Sequence, residues 1–107
     1  MTGVESYVEK LRTAGADTGK VRDRMDGLAD RVQSQLDSLI AIISGDPVFG
    51  KKFMDDPKGL KYQLEGAIEG TRTMAKSWGK LSDGQYQTAT NVQLEEQKRR
   101  EQFGKIV

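Results

Sequence analysis

The residues best placed for chemistry are three carboxylates near the middle of the chain, Asp46, Asp55 and Asp56. Carboxylates in a loop point first to a divalent cation such as calcium. This segment lacks the alternating oxygen ligands and the closing glutamate that a calcium loop needs. Asp46 and Asp56 each precede a proline, Pro47 and Pro57. Aspartate followed by proline reads as a helix N-cap followed by the first helical residue, so capping accounts for them better than a metal. Serines and threonines abound, but the chain has no histidine to activate one and no cysteine to replace one. No glycine-rich loop follows a strand, so a phosphate cradle has no scaffold. The reading is a protein that is not an enzyme, with no catalytic residue, no cofactor and no metal.

The basic residues are no more distinctive. Lys98, Arg99 and Arg100 form a short run framed by Glu95, Glu96 and Glu101, which reads as a solvated helix face. Lys51 and Lys52 form a weaker pair. Seventeen basic against sixteen acidic residues leave a net charge of +1, with no general pull toward nucleic acid or an anionic membrane. No apolar stretch reaches membrane-spanning length. The N-terminal residues lack the charged start and greasy middle of a cleaved signal peptide, so any export is expected to use another route. Trp78, the lone tryptophan, reads either as an exposed anchor for a partner or as a packing residue, and its spacing favours packing.

That spacing belongs to long helices. From Val4 to Ile43 apolar residues recur in two rows spaced by seven. One row is Val4, Leu11, Thr18, Met25, Val32 and Leu39; the other is Tyr7, Ala14, Val21, Leu28, Gln35 and Ile42. Such rows form the seam of a helix packed on a helix. Gly15, Gly19 and Gly27 stand off both rows, and each weakens the isolated helix by about 1 kcal/mol. Gly45 reads as a left-handed residue ending the first helix. The second helix repeats the pattern, with rows Leu60, Ala67, Met74, Leu81, Thr88 and Leu64, Thr71, Trp78, Gln85, Val92. Gly84 is a candidate break, but the register carries across it.

The expected fold is all-α: one long antiparallel helix-turn-helix hairpin in a single domain, residues 1–107. Helix 1 covers about residues 3–44 and the turn about 45–57, the turn holding a short helix within 46–53. Helix 2, capped by Asp56, covers about 58–100, with a frayed tail over 101–107. Val8, Leu36, Ile40 and Ile43 flank the first seam, and Ile68 and Ala75 flank the second. A stripe this wide implies a further contact surface, and a second hairpin covering it would complete a four-helix bundle. The predicted partner interface is Val8, Leu28, Val32, Leu36, Ile40, Ile43, Ile68 and Ala75.

Asp46, Phe49, Gly50 and Phe53, between two long helices, follow a pattern of aspartate, an aromatic, glycine, two variable residues and phenylalanine. In this the chain resembles the actinobacterial branch of the small WXG-type helical hairpins of type VII (ESX) secretion. Leu81, Gly84, Ala89, Asn91 and Glu96 stand in the order of the family's second-helix trait. Two features depart from it. The turn has Phe49-Gly50 in place of Trp-x-Gly, and Val92 occupies the position of the signal tyrosine. The resemblance implies a secreted substrate, or a substrate's partner, that acts through helix–helix association. It implies a homodimer or a heterodimer with a related hairpin, docking to an export ATPase, and a cytoplasmic stage before release without a cleaved signal peptide. Val92 and Glu96 would then be the secretion signal; otherwise they are the last seam residue and a solvated charge. The other reading of the whole chain is a cytoplasmic helical adaptor or assembly protein that is not secreted.

Overall fold

The computed structural model describes residues 2–54 and 59–106. They form three helices: α1 (Gly3–Ile43), α2 (Phe49–Met54) and α3 (Leu60–Ile106). No strand occurs among the described residues. The fold is the all-α helical hairpin that the heptad rows predict, with α1 and α3 as its arms.

Local chemistry sets the helix ends. At the start of α1 the Thr2 hydroxyl accepts the Glu5 N–H (3.1 Å), and the Glu5 carboxylate accepts the Thr2 N–H (3.2 Å). This reciprocal pair satisfies two donors that the first turn would leave open. α1 stops at Ile43, where the Ser44 N–H reaches the Ile40 carbonyl and the Asp46 N–H reaches the Ile43 carbonyl, both at 2.9 Å. The left-handed glycine predicted at Gly45 is absent; no glycine among the described residues has a positive φ. Asp46 caps α2 as predicted, accepting the N–H groups of Val48 (3.0 Å) and Phe49 (2.9 Å). The predicted cap of the second arm, Asp56, lies outside the described residues. α3 runs unbroken through Gly84 and continues as helix to Ile106, beyond residue 100, where the second arm was expected to end.

The contacts cluster into two compact units, Met1–Val21 with Ser77–Val107, and Arg22–Lys76. In the unit that holds the turn, the core is Ala29, Leu36, Phe53 and Ile68. Val32, Leu39, Ile40, Ile43, Met54 and Leu64 pack around it. The short helix α2 contributes Phe53, which is 5% exposed. Gly50 makes this docking possible: a Cβ there would lie 2.8 Å from the Ile43 carbonyl oxygen, closer than the two atoms can approach.

In the unit that holds the chain ends, the arms meet through small residues. Val8, Gly15, Thr18 and Gly19 of α1 are buried there, with Gly79, Ser82 and Ala89 of α3. The Ser82 hydroxyl crosses the seam to the Gly15 carbonyl at 2.7 Å. The Tyr86 ring lies so near Gly15 that an added Cβ would stand 3.0 Å from it. Thr18 returns its hydroxyl to the Ala14 carbonyl (2.7 Å), which makes its burial tolerable.

These burials correct the predicted seam. The row Val4, Leu11, Thr18, Met25, Val32, Leu39 does face the other arm, but its companion row is Val8, Gly15, Arg22, Ala29, Leu36, Ile43. On α3 the buried row is Ile68, Ala75, Ser82, Ala89, beside the predicted Leu64, Thr71, Trp78, Gln85, Val92. Each companion row lies one residue beyond the predicted one, about 100° round the helix. Gly15 therefore belongs to the seam, contrary to the sequence reading. The physical reason is spacing: helix axes come close only where the contacting side chains are small, and these rows hold Gly15, Ala29, Ala75, Ser82 and Ala89.

Leu36 is 1% exposed and Leu28 is 49% exposed. Leu36→Ala is expected to cost about 2–5 kcal/mol, and Leu28→Ala less than about 1 kcal/mol in dilute solution. Urea unfolding followed by circular dichroism checks this; equal losses would refute the corrected register.

Candidate partner interface

Moving the seam by one residue leaves bulky apolar side chains outside it. In the turn-bearing unit these include Leu28 and Ile42 on α1 and Leu60 and Met74 on α3, between 48% and 76% exposed, and Tyr62 on α3, 45% exposed. Leu28 and Ile42 are two heptads apart, as are Leu60 and Met74, so each pair follows one line along its helix. The ion pair from the Arg72 guanidinium to Asp30, at 2.9 Å, bridges the arms along one flank of the seam. Both lines lie along the other flank, since equivalent positions of two antiparallel helices emerge on the same side of their contact. Together they make one apolar face. In the unit of the chain ends Tyr7 and Leu81 occupy the same rows and are also about half exposed.

Of the predicted interface residues, Val8, Leu36, Ile68 and Ala75 are buried between the chain's own arms. Val32, Ile40 and Ile43 are half-buried around the core. Leu28 alone of the eight is exposed. The sequence reading treated every apolar residue beside the seam as outward-facing, whereas the arms bury the row one residue on, large members such as Leu36 and Ile68 included, and leave Leu28, Ile42, Leu60 and Met74 exposed. Ile42, Leu60 and Met74 went unassigned to the interface because size had placed them in the seam. The abundance of small residues one position on was the signal that could have found them.

The turn motif divides as well. Asp46 caps, Gly50 permits close approach and Phe53 is buried. Phe49, the other aromatic of the motif, is 64% exposed. Val92 and Glu96 are half-buried. The Glu96 carboxylate lies 3.6 Å from the Arg100 guanidinium. Both residues extend the seam rows instead of standing clear of them. Trp78 is half-buried in its row. Lys98 pairs loosely with Glu95 at 3.9 Å, and Arg100 also reaches Glu5 at 3.3 Å.

Near the chain ends a groove of about 390 Å³ opens between the arms over Val4 and Val8. Its rim mixes Glu5, Glu9 and Glu96 with Arg12 and Arg100. It is crossed by the Arg100–Glu5 pair and by an Arg12–Gln93 hydrogen bond of 2.8 Å. Among the described residues no group of three or more potential ligands could hold a metal ion, and no helix is long and apolar enough to cross a membrane. Comparison with known proteins finds no family model, no curated protein and no solved structure that matches this chain.

Glu5 is the carboxylate whose surroundings favour its charge most clearly. The Thr2 backbone N–H and the Arg100 guanidinium hold its carboxyl below the usual carboxylate range. A lowered pKa in the folded state adds stability above the unfolded value, and that gain disappears as pH falls through the folded value. Wild type should therefore melt above Glu5→Gln at pH 6, and the gap should close below about pH 4. Thermal midpoints across that window check this; a gap that persists at pH 2 would contradict it.

Proposed function

We propose that this protein works by binding and not by catalysis, offering the face of Leu28, Ile42, Leu60 and Met74 to a second helical hairpin and so completing a four-helix bundle. The observation that carries the reading is that face itself. Burying four large apolar side chains on a partner stabilises a complex, at roughly 25 cal/mol per Å² removed from water, while leaving them in water gains nothing for an isolated hairpin. The sequence pattern of Asp46, Phe49, Gly50 and Phe53 supports placing the chain among the ESX-type hairpins. In that setting it is a secreted substrate or a substrate's partner, cytoplasmic before export through the ESX ATPase.

One observation favours the second reading, a cytoplasmic adaptor that is not exported. Val92 and Glu96 are half-buried along the seam rows, and Val92 stands where the family's signal has a tyrosine. A docking signal has to be free to leave its own helix pair.

Two measurements test these readings. Leu28→Asp with Met74→Asp should abolish association with a hairpin partner while helicity stays that of the wild type, because both sites are half exposed. If the double variant binds a partner as the wild type does, the face is not the interface. In a host with an ESX-type ATPase, wild type and Glu96→Ala are compared in supernatant and pellet. ATPase-dependent release that falls with Glu96→Ala supports the secretion reading, and retention of both in the cells supports the adaptor.

A further inference from the structure

The two units are held closed by unequal means. In the turn-bearing unit Ala29, Leu36, Phe53, Ile68 and Ala75 are buried apolar side chains. Six partly buried apolar residues, between Val32 and Leu64, pack against four of them. In the unit of the chain ends the buried apolar side chains are Val8 and Ala89. Val4, Leu11, Ala14, Val21, Trp78 and Val92 are half-buried there. The remaining buried positions of this unit are Gly15, Gly19 and Gly79, with the polar Thr18 and Ser82. Such residues let the arms come close but remove little apolar surface from water.

Other features of the chain-end unit oppose closure or add little to it. The Gln85 side-chain oxygen is buried with no hydrogen-bond partner among the described residues, so closing the seam withdraws it from water without replacement. The groove over Val4 and Val8 leaves part of the arms apart. The Arg12–Gln93 and Arg100–Glu5 links across it are exposed, and exposed polar links contribute little. The Ser82–Gly15 hydrogen bond and the Tyr86 ring against Gly15 work the other way and fix where the arms meet.

We infer that the hairpin carries a built-in opening at its free ends: both arms of the chain-end unit part as one cooperative step, while the turn-bearing unit keeps its core. Burial of apolar surface supplies most of the force that closes two helices, and here it is concentrated near the turn. A chain built so unevenly opens first where least is buried. Opening returns Gln85 to water and frees Val92 and Glu96, both half-buried in the closed form. Their use as docking residues rests on the secretion reading above; the opening does not.

Hydrogen exchange of backbone amides, followed residue by residue by NMR on the native chain, tests this. Gly15, Ser82 and Ala89, from both arms, should share one protection factor, at least about tenfold below that of Ala29, Leu36 and Ala75. Ile68→Val should speed exchange of the turn-bearing set by about threefold or more and leave the chain-end set within about twofold of wild type, because the opening does not break the contacts of Ile68. Equal protection in the two sets overturns the inference, since the units then open only together. So does equal acceleration of both sets by Ile68→Val. A rate that climbs steadily toward each chain end, with Gly15 and Ser82 as slow as Ala29 and Ala75, overturns it too, because that is the fraying of separate helix ends. The measurement needs neither partner nor export, so the proposed face and the secretion reading stand or fall separately.

Discussion

How closely the two arms approach decides the rest of the structure. In the unit of the chain ends, the residues buried are mostly small, Gly15, Thr18, Gly19, Gly79, Ser82 and Ala89, with Val8. In the turn-bearing unit, Ala29 and Ala75 are each 1% exposed, so at these positions too there is little room for bulk. Larger residues are buried as well: Leu36, Ile68 and Phe53 in the turn-bearing unit, and Val8 near the chain ends. Once small residues occupy the seam, the larger ones on the neighbouring rows must point elsewhere. The exposed face is therefore a consequence of how the arms pack and not a separate adornment.

The same constraint governs what the protein can do. A hairpin that spends its small residues on its own seam leaves Leu28, Ile42, Leu60 and Met74 exposed. It pays for close approach with polar accommodation inside the seam, through the Ser82 to Gly15 hydrogen bond and the inward return of the Thr18 hydroxyl. Gln85 shows how tight that accommodation is: its side-chain oxygen is buried with no hydrogen-bond partner among the described residues.

Much of the fold was legible in the sequence. Repeats of seven residues gave two long helices, Asp46-Pro47 gave the start of the short one, and the stop near Ser44 fell within one residue. Continuity through Gly84 followed from the register, because a single glycine costs less than the packing on either side supplies. The seam itself was misread by one residue, since hydrophobicity ranks leucine and isoleucine above alanine, glycine and serine. Packing at short range ranks them the other way. That shift of one residue accounts for Val8, Leu36, Ile68 and Ala75 in the core, for the exposure of Leu28, and for Gly15 as a contact residue. The length of α3 was underestimated for a related reason. From residue 97 onward the sequence has no apolar row to announce a helix, but glutamine, lysine, arginine and glutamate sustain one by propensity and by pairs such as Glu96 with Arg100.

The most direct measurement of this seam register uses the chain's lack of cysteine, which makes any introduced thiol the sole target of a labelling reagent. Leu28→Cys and Ala29→Cys are neighbours that the structure assigns to opposite fates, 49% exposed and 1% exposed. In the native protein the thiol at position 28 should react within a fewfold of its rate in denaturant, while that at position 29 should be protected until the hairpin opens. The reverse order, protection at 28 and free reaction at 29, would place the seam on the row of bulky residues and contradict the account.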